Sequence, residues 1–236
     1  MRVLVFVALA ACSFPEKHPS VADAAPDAET PFGCMGLPFG TTAPAQLQIS
    51  GTAADLGTGV VANDIVVTGM LDTGGTVFTQ TTDATGSYSA VVETNGMAIA
   101  GYVVSTAGAY VPSYFYPSHP FDGNTMAPLP TLTALELGTV GNPAGTALVQ
   151  LILGDCIGTP LQGCTLAATP TPMLVEYSIN GHPDATATAT DNTGYVLVKG
   201  ATPGTVTFDA TCPTGALRSV AITLVGDSTY FIELEP

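Results

Sequence analysis

Positive charge is what this sequence most conspicuously lacks: 4 Lys and Arg stand against 19 Asp and Glu, a formal charge of -15 over 236 residues. A polyphosphate would be repelled by such a surface, so DNA and RNA are excluded as expected partners. The simplest use of the charge is colloidal solubility. Trp is absent, and the runs of Glu, Lys, Leu and Gln that clothe exposed helices are scarce, which argues against long helices. No apolar run reaches the roughly 20 residues that a spanning helix needs. GxSxG, HExxH and Walker loops are missing, and with them any marked serine-hydrolase, zinc-peptidase or nucleotide chemistry. No CxxC pair marks a zinc site, so neither metal nor cofactor is expected. What is abundant is Gly (26) and Pro (19), together with Thr, Val and Ala, the composition of a β-rich, loop-rich protein.

The amino terminus reads as an address. Residues 1–11, MRVLVFVALAA, form a short positive n-region and an apolar h-region too brief to cross a bilayer. They end in Leu9-Ala10-Ala11-Cys12, which resembles the lipobox of bacterial lipoproteins. That resemblance implies removal of 1–11, a diacylglyceryl group on the Cys12 sulfur and acylation of its amine. Two or three chains, each buried methylene contributing about 0.8 kcal/mol, hold a protein firmly to a membrane. Ser13 in place of Asp implies outer-membrane sorting by analogy with enteric bacteria. Residues 12–44 then read as a lipidated cysteine and a disordered, acidic, Pro-rich tether, because so few large apolar residues cannot offset chain entropy. His18 lies alone in it. The DAAPDAE wording resembles tethers on lipoproteins of myxobacteria.

The rest of the chain contains a weak internal repeat. Asp55 precedes a turn and the segment Val60-Val61-Ala62-Asn63-Asp64-Ile65; Asp155 precedes another turn and Pro160-Leu161-Gln162-Gly163-Cys164-Thr165. Thr82-Asp83-Ala84-Thr85-Gly86 is answered by Thr190-Asp191-Asn192-Thr193-Gly194. Extra residues in the second copy fall around 171–184. In such a turn the Asp bonds nearby amides and the Gly takes positive φ. LQIS, DIVVTGML, TVFTQTT, SYSAVV, AIAGYVVS and YVPSYFY in the first copy read as strands, as do YVLVKG, TVTFDA, VAITLV and TYFIEL in the second. The expected fold is therefore all-β: two tandem antiparallel sandwiches over 45–137 and 146–236, joined by a linker at 138–145. The stretch 129–145 reads equally as a last strand or as a short helix.

These landmarks resemble carboxypeptidase regulatory-like modules, small transthyretin-like, Ig-like β-sandwiches close to Cna-B repeats. Asp155, Gly158, Pro160, Leu161, Gly163, Thr190, Asp191, Gly194 and Pro203-Gly204 match their pattern in the second copy. The first copy departs from it at Val60 and Asn63. The resemblance implies an accessory fold without catalysis; fold does not select a ligand.

Cys34, Cys156, Cys164 and Cys212 remain after Cys12. In an exported protein four cysteines imply two disulfides. Of three connectivities, Cys34–Cys156 with Cys164–Cys212 is favoured, and Cys156–Cys164 stays open as a competitor. Met70-Leu71-Asp72-Thr73-Gly74 and Ile152-Leu153-Gly154-Asp155 resemble the two motifs of retropepsin-like aspartic proteases, with Asp72 as catalytic carboxylate. Against that reading, some eighty residues come after the second motif, and Asp-Thr-Gly-Gly is also a good hairpin turn. His119 and His182 lie in Pro-rich loops, and Asp155, Asp191 and Asp209 lack calcium-site spacing. Tyr110, Tyr114, Phe115 and Tyr116 form an aromatic cluster: core and inter-module packing, or a platform for sugar rings or a protein. The leading expectation is a non-enzymatic envelope lipoprotein, anchored in the membrane, whose modules act as spacer or protein-interaction unit. A carbohydrate-binding accessory lipoprotein comes second, the protease third.

Overall fold

Buried Leu47, Ile49 and Ala53 alternate with more exposed neighbours along β1 (Gln46–Asp55), the period of a strand with one face on a core. The computed structural model describes residue 32 and residues 34–236 apart from 57. Cys12, the expected signal sequence and the tether as far as residue 31 lie outside the described residues. After β1 come β2 (Val66–Leu71), β3 (Thr76–Thr81), β4 (Ser87–Glu93), β5 (Gly101–Ala107), β6 (Tyr110–Tyr116), β7 (Thr125–Met126) and β8 (Leu129–Thr131). A short helix, α1 (Ala134–Thr139), leads to β9 (Ala147–Leu153), β10 (Thr165–Thr169), β11 (Leu174–Ile179) and β12 (His182–Asp184). β13 (Tyr195–Ala201), β14 (Gly204–Cys212), β15 (Gly215–Ala216), β16 (Val220–Leu224) and β17 (Ser228–Leu234) complete the chain.

Two β-sandwiches result, and they share a sheet. The long sheet has nine strands in the order β12-β11-β13-β9-β17-β6-β5-β2-β3. A small sheet of β4, β1, β7 and β8 covers one part of it, and a second small sheet of β10, β14, β15 and β16 covers the other. Leu47, Ile49, Val67, Val103, Phe115 and Leu129 lie in the first core. Val149, Leu151, Val198, Phe208, Tyr230 and Ile232 lie in the second. Because adjacent residues of β6 and β17 point to opposite faces, Phe115 faces the first core and Tyr114 packs on the second. The two covering sheets thus sit on opposite faces of the long sheet.

The strands are not all antiparallel as expected. β1 runs parallel to β7 and β8, and β17 runs parallel to both β9 and β6. The ambiguous stretch 129–145 holds both alternatives in succession. Leu129–Thr131 pairs with β1, and then Thr133 caps α1 through a reciprocal pair of bonds with Glu136, its own N–H reaching Glu136 Oε2 at 2.8 Å. Leu137 of α1 packs with Leu132, Leu148 and Leu197, closing the face of the long sheet that the second small sheet leaves open.

Candidate functional site

The repeated turns are where sequence and structure correspond most closely. Asp83 Oδ1 accepts from the Thr85 N–H and hydroxyl at 2.8 and 2.6 Å and from the Ser87 N–H at 3.0 Å. Asp191 Oδ1 accepts from the Thr193 N–H and hydroxyl at 2.9 and 2.5 Å and from Ser178 Oγ at 2.6 Å. Burial opposes charge on Asp191, but these bonds and one from the Gly181 N–H outweigh it and bring its pKa down to about 2. Thr82 and Thr190 do the same work in each half: each hydroxyl donates to a carbonyl (Ala62 and Leu161) and accepts the N–H of Ile65 or Cys164. Gly86 and Gly194 hold φ of 72° and 63°. A Cβ there would meet the carbonyl oxygen of Ala53 at 2.6 Å or of Leu153 at 2.4 Å, so both turns require glycine.

The aromatics of β6 meet the second half of the chain at the seam between β6 and β17. Tyr114 stacks on Tyr230 at 4.6 Å with planes 6° apart, and Tyr102 stacks on Tyr116 at 4.8 Å. On the opposite face Phe115 lies over Phe231 at 5.9 Å. Phe115 is fully buried, so as a member of an exposed platform it is corrected: the strand's alternation turns it into the first core. Tyr114 and Tyr116 are half-buried, and desolvation first, then neighbouring phenols, raises both phenol pKa values. Their ring faces are used on Tyr230 and Tyr102, leaving less flat surface for a sugar ring to stack on. Tyr110 sits at the other end of β6, where it bridges to Thr133. Tyr102, Tyr230 and Phe231 also belong to the seam, and sequence reasoning misses them as members of it. The signal is there, in the alternation of TYFIEL. Hydroxyls of Ser113 on β6 and Thr229 on β17 both donate to the Pro130 carbonyl, at 2.7 and 3.4 Å, which ties β8 to the seam.

Two disulfides form, Cys34–Cys156 and Cys164–Cys212. The second lies inside the second core. The first fastens residues 34–44 across the rim of the seam. Arg218 Nη2 donates to the Leu37 carbonyl at 2.6 Å, and its guanidinium lies 3.7 Å from the Phe39 ring centroid. Phe39 also approaches His119 of the first sandwich at 6.1 Å, and Thr42 bridges to Met97. Residues 34–44, expected as tether, therefore form a strap from the second sandwich to the first. Beneath it is an open cavity of about 460 Å³ lined by Met35, Leu37, Pro38, Leu217, Arg218 and Pro236.

Asp72 occupies the turn between β2 and β3, where the Leu71 N–H reaches the Gly75 carbonyl at 3.0 Å and Gly74 and Gly75 take φ of 82° and 121°. Burial raises its carboxyl pKa. Asp155, in the other sandwich, accepts from the N–H groups of Ile157 and Thr159 in its own turn. His119 Nδ1 lies 2.8 Å from the Pro120 carbonyl, and His182 begins β12. Asp209 is exposed on β14. Among the described residues no group of three or more His, Cys, Asp or Glu is arranged to hold a metal ion.

No family model matches this chain, and no curated protein matches it. Solved structures that are similar include the Bacillus anthracis TIE protein, at 12% identity and a TM-score of 0.29 over 81% of this chain. This chain spans 34% of that protein. The shaft pilin SpaA of Lactobacillus rhamnosus GG is 13% identical, with a TM-score of 0.26 over 83% of this chain and 98% of its own. A minor pilin of Streptococcus agalactiae is 11% identical, with a TM-score of 0.27 over 80% and 95%.

Proposed function

We propose that this chain is a non-catalytic, lipid-anchored protein of a bacterial envelope that presents two fused sandwiches, as one rigid body, to a protein partner. The observation that carries the reading is the strap. Cys34, inside the expected tether, is bonded to Cys156, and residues 37–42 are held by Arg218, His119 and Met97 from both sandwiches. The disulfide fixes the corner of the body from which the chain before Cys34 leaves, so the pull of an anchor always enters at the same place. Edge-to-edge pairing of β6 and β17 removes a hinge between the sandwiches, so the distal surfaces are presented together. A sugar-binding role is the weaker reading, because the seam tyrosines stack on each other.

The test is metabolic labelling with a radioactive fatty acid and then detergent phase partition. The intact protein carries label and enters the detergent phase; the Cys12→Ala protein carries none and stays in the aqueous phase. An unmodified thiol at position 12 overturns the anchor, and chemical cross-linking on whole cells that captures no protein neighbour overturns the presentation role.

A further inference from the structure

The Cys34–Cys156 bond closes a loop of 122 residues, and that loop contains the whole first sandwich, from β1 to β8, together with α1 and β9. Tension arriving along the residues before Cys34 would otherwise enter at β1. That strand is the centre of its small sheet, paired with β4 on one side and with β7 and β8 on the other, so drawing it out would open the first core. The disulfide delivers the pull instead to Cys156, just beyond β9. β9 is flanked by β13 and, along its full length, by β17, and its core face is buried throughout at Ala147, Val149, Leu151 and Leu153. Arg218 on Leu37 and Phe39 keeps the strap seated beside that entry point, and Cys34 Sγ lies 3.7 Å from the Pro236 carbonyl.

We infer that Cys34–Cys156 is a mechanical shunt, which takes the pull of the tether past the first sandwich and delivers it at Cys156, at the end of an interior strand of the shared sheet. The inference deepens the anchored-presentation reading, since only a tethered body is pulled this way. It also supplies a release: a dithiol reductant passes two electrons and two protons to the half-buried Cys34–Cys156 bond, giving two thiols and the reductant's own disulfide. Cys164–Cys212, buried in the second core, is shielded from the same attack while the fold is intact.

Stretching single unlipidated molecules through Cys12 and a tag after Pro236 tests it. Oxidised protein extends without releasing the first sandwich. The Cys34→Ser/Cys156→Ser protein releases further chain of about 400 Å, and intact protein held in dithiol releases at least as much, since opening the second sandwich exposes Cys164–Cys212 as well. The reduced intact protein serves if the double variant fails to fold. Oxidised protein that yields this length, or reduced protein that does not, overturns the shunt. No membrane enters the measurement, so it stands or falls separately from acylation at Cys12.

Discussion

The two sandwiches are built on the same pair of turns and diverge after the second strand of each. In the first, β2 returns through a tight Asp-Thr-Gly-Gly turn, and β3 pairs straight back along it. In the second, β10 runs into Pro170 and Pro172; β11 then crosses to the other sheet and pairs with β13. Two prolines remove two backbone donors where a return hairpin would need them, and the displaced strand gains β12 through Asn180-Gly181, with φ of 54° and 77°. Alike local signals therefore specify alike turns, while the destination of a strand is decided by what the turn region can bond. The second sandwich also carries Cys164–Cys212 in its core, and the disulfides described leave the first with no cross-link inside it.

That contrast can be broken most forcefully at the buried disulfide. Replacing Cys164 and Cys212 by Ala frees a loop of 48 residues and should cost about 4 kcal/mol. Chemical denaturation should then show the second sandwich opening before the first, where the parent protein unfolds with the two coupled. Next come the matched glycines. Gly86→Ala and Gly194→Ala should each cost about 1–3 kcal/mol through strain and contact with a carbonyl. If the turns are equivalent, the losses of melting temperature should agree; a cost confined to one module would break the equivalence. Thr82→Val and Thr190→Val each leave a buried N–H and a buried carbonyl without the shared hydroxyl, worth about 1–3 kcal/mol, and should again fall as a matched pair.

The smallest effects are in pH dependence, where the halves should diverge. Asp191 has a folded pKa of about 2, below its ordinary value of 3.8. Its contribution to stability is present above about pH 4 and is lost as pH falls through 2. Asp191→Asn should flatten that acid limb more than Asp83→Asn, whose exposed turn is bonded by fewer groups. Glu233 on β17 goes the other way: burial, then the Glu235 charge, raises its pKa to about 8 against one opposing bond from the Ser118 N–H. Its folded form prefers the proton, so stability is full below about pH 4.5 and falls as pH rises through 8. Thermal melts of Glu233→Gln between pH 5 and 9 should lose that slope; an unchanged slope would place its origin elsewhere.

Much of the fold is legible in the sequence because its signals are local. Alternation in SYSAVV, YVLVKG and TVTFDA needs only neighbouring residues to be seen, and the Asp and Gly of each turn act within four residues of one another. β11 and β12 read only as extra residues, although Asn180-Gly181 is a strong hairpin signal. Whether Phe115 belongs to a core or to a platform stays open in the sequence because a run of aromatics in a strand divides between two faces, and which face is covered depends on distant chain. The strap reads as tether for the opposite reason: 34–44 has no periodicity, and what orders it comes from Cys156, Arg218, His119 and Met97, all far along the chain.

By itself the amino-acid sequence determined the β architecture, the two cores and the turns that close them, since period-two burial and positive-φ glycines act over a few residues. Tertiary structure alone decided that β6 and β17 lie side by side and that the sandwiches cover opposite faces of one sheet, and it selected the favoured Cys34–Cys156 pairing over Cys156–Cys164. Those are choices among edges with similar backbone groups and among four thiols that can pair in three ways. Only the complementary packing of Tyr114 on Tyr230 and Phe115 on Phe231, with Arg218 over Phe39, distinguishes one choice from the others.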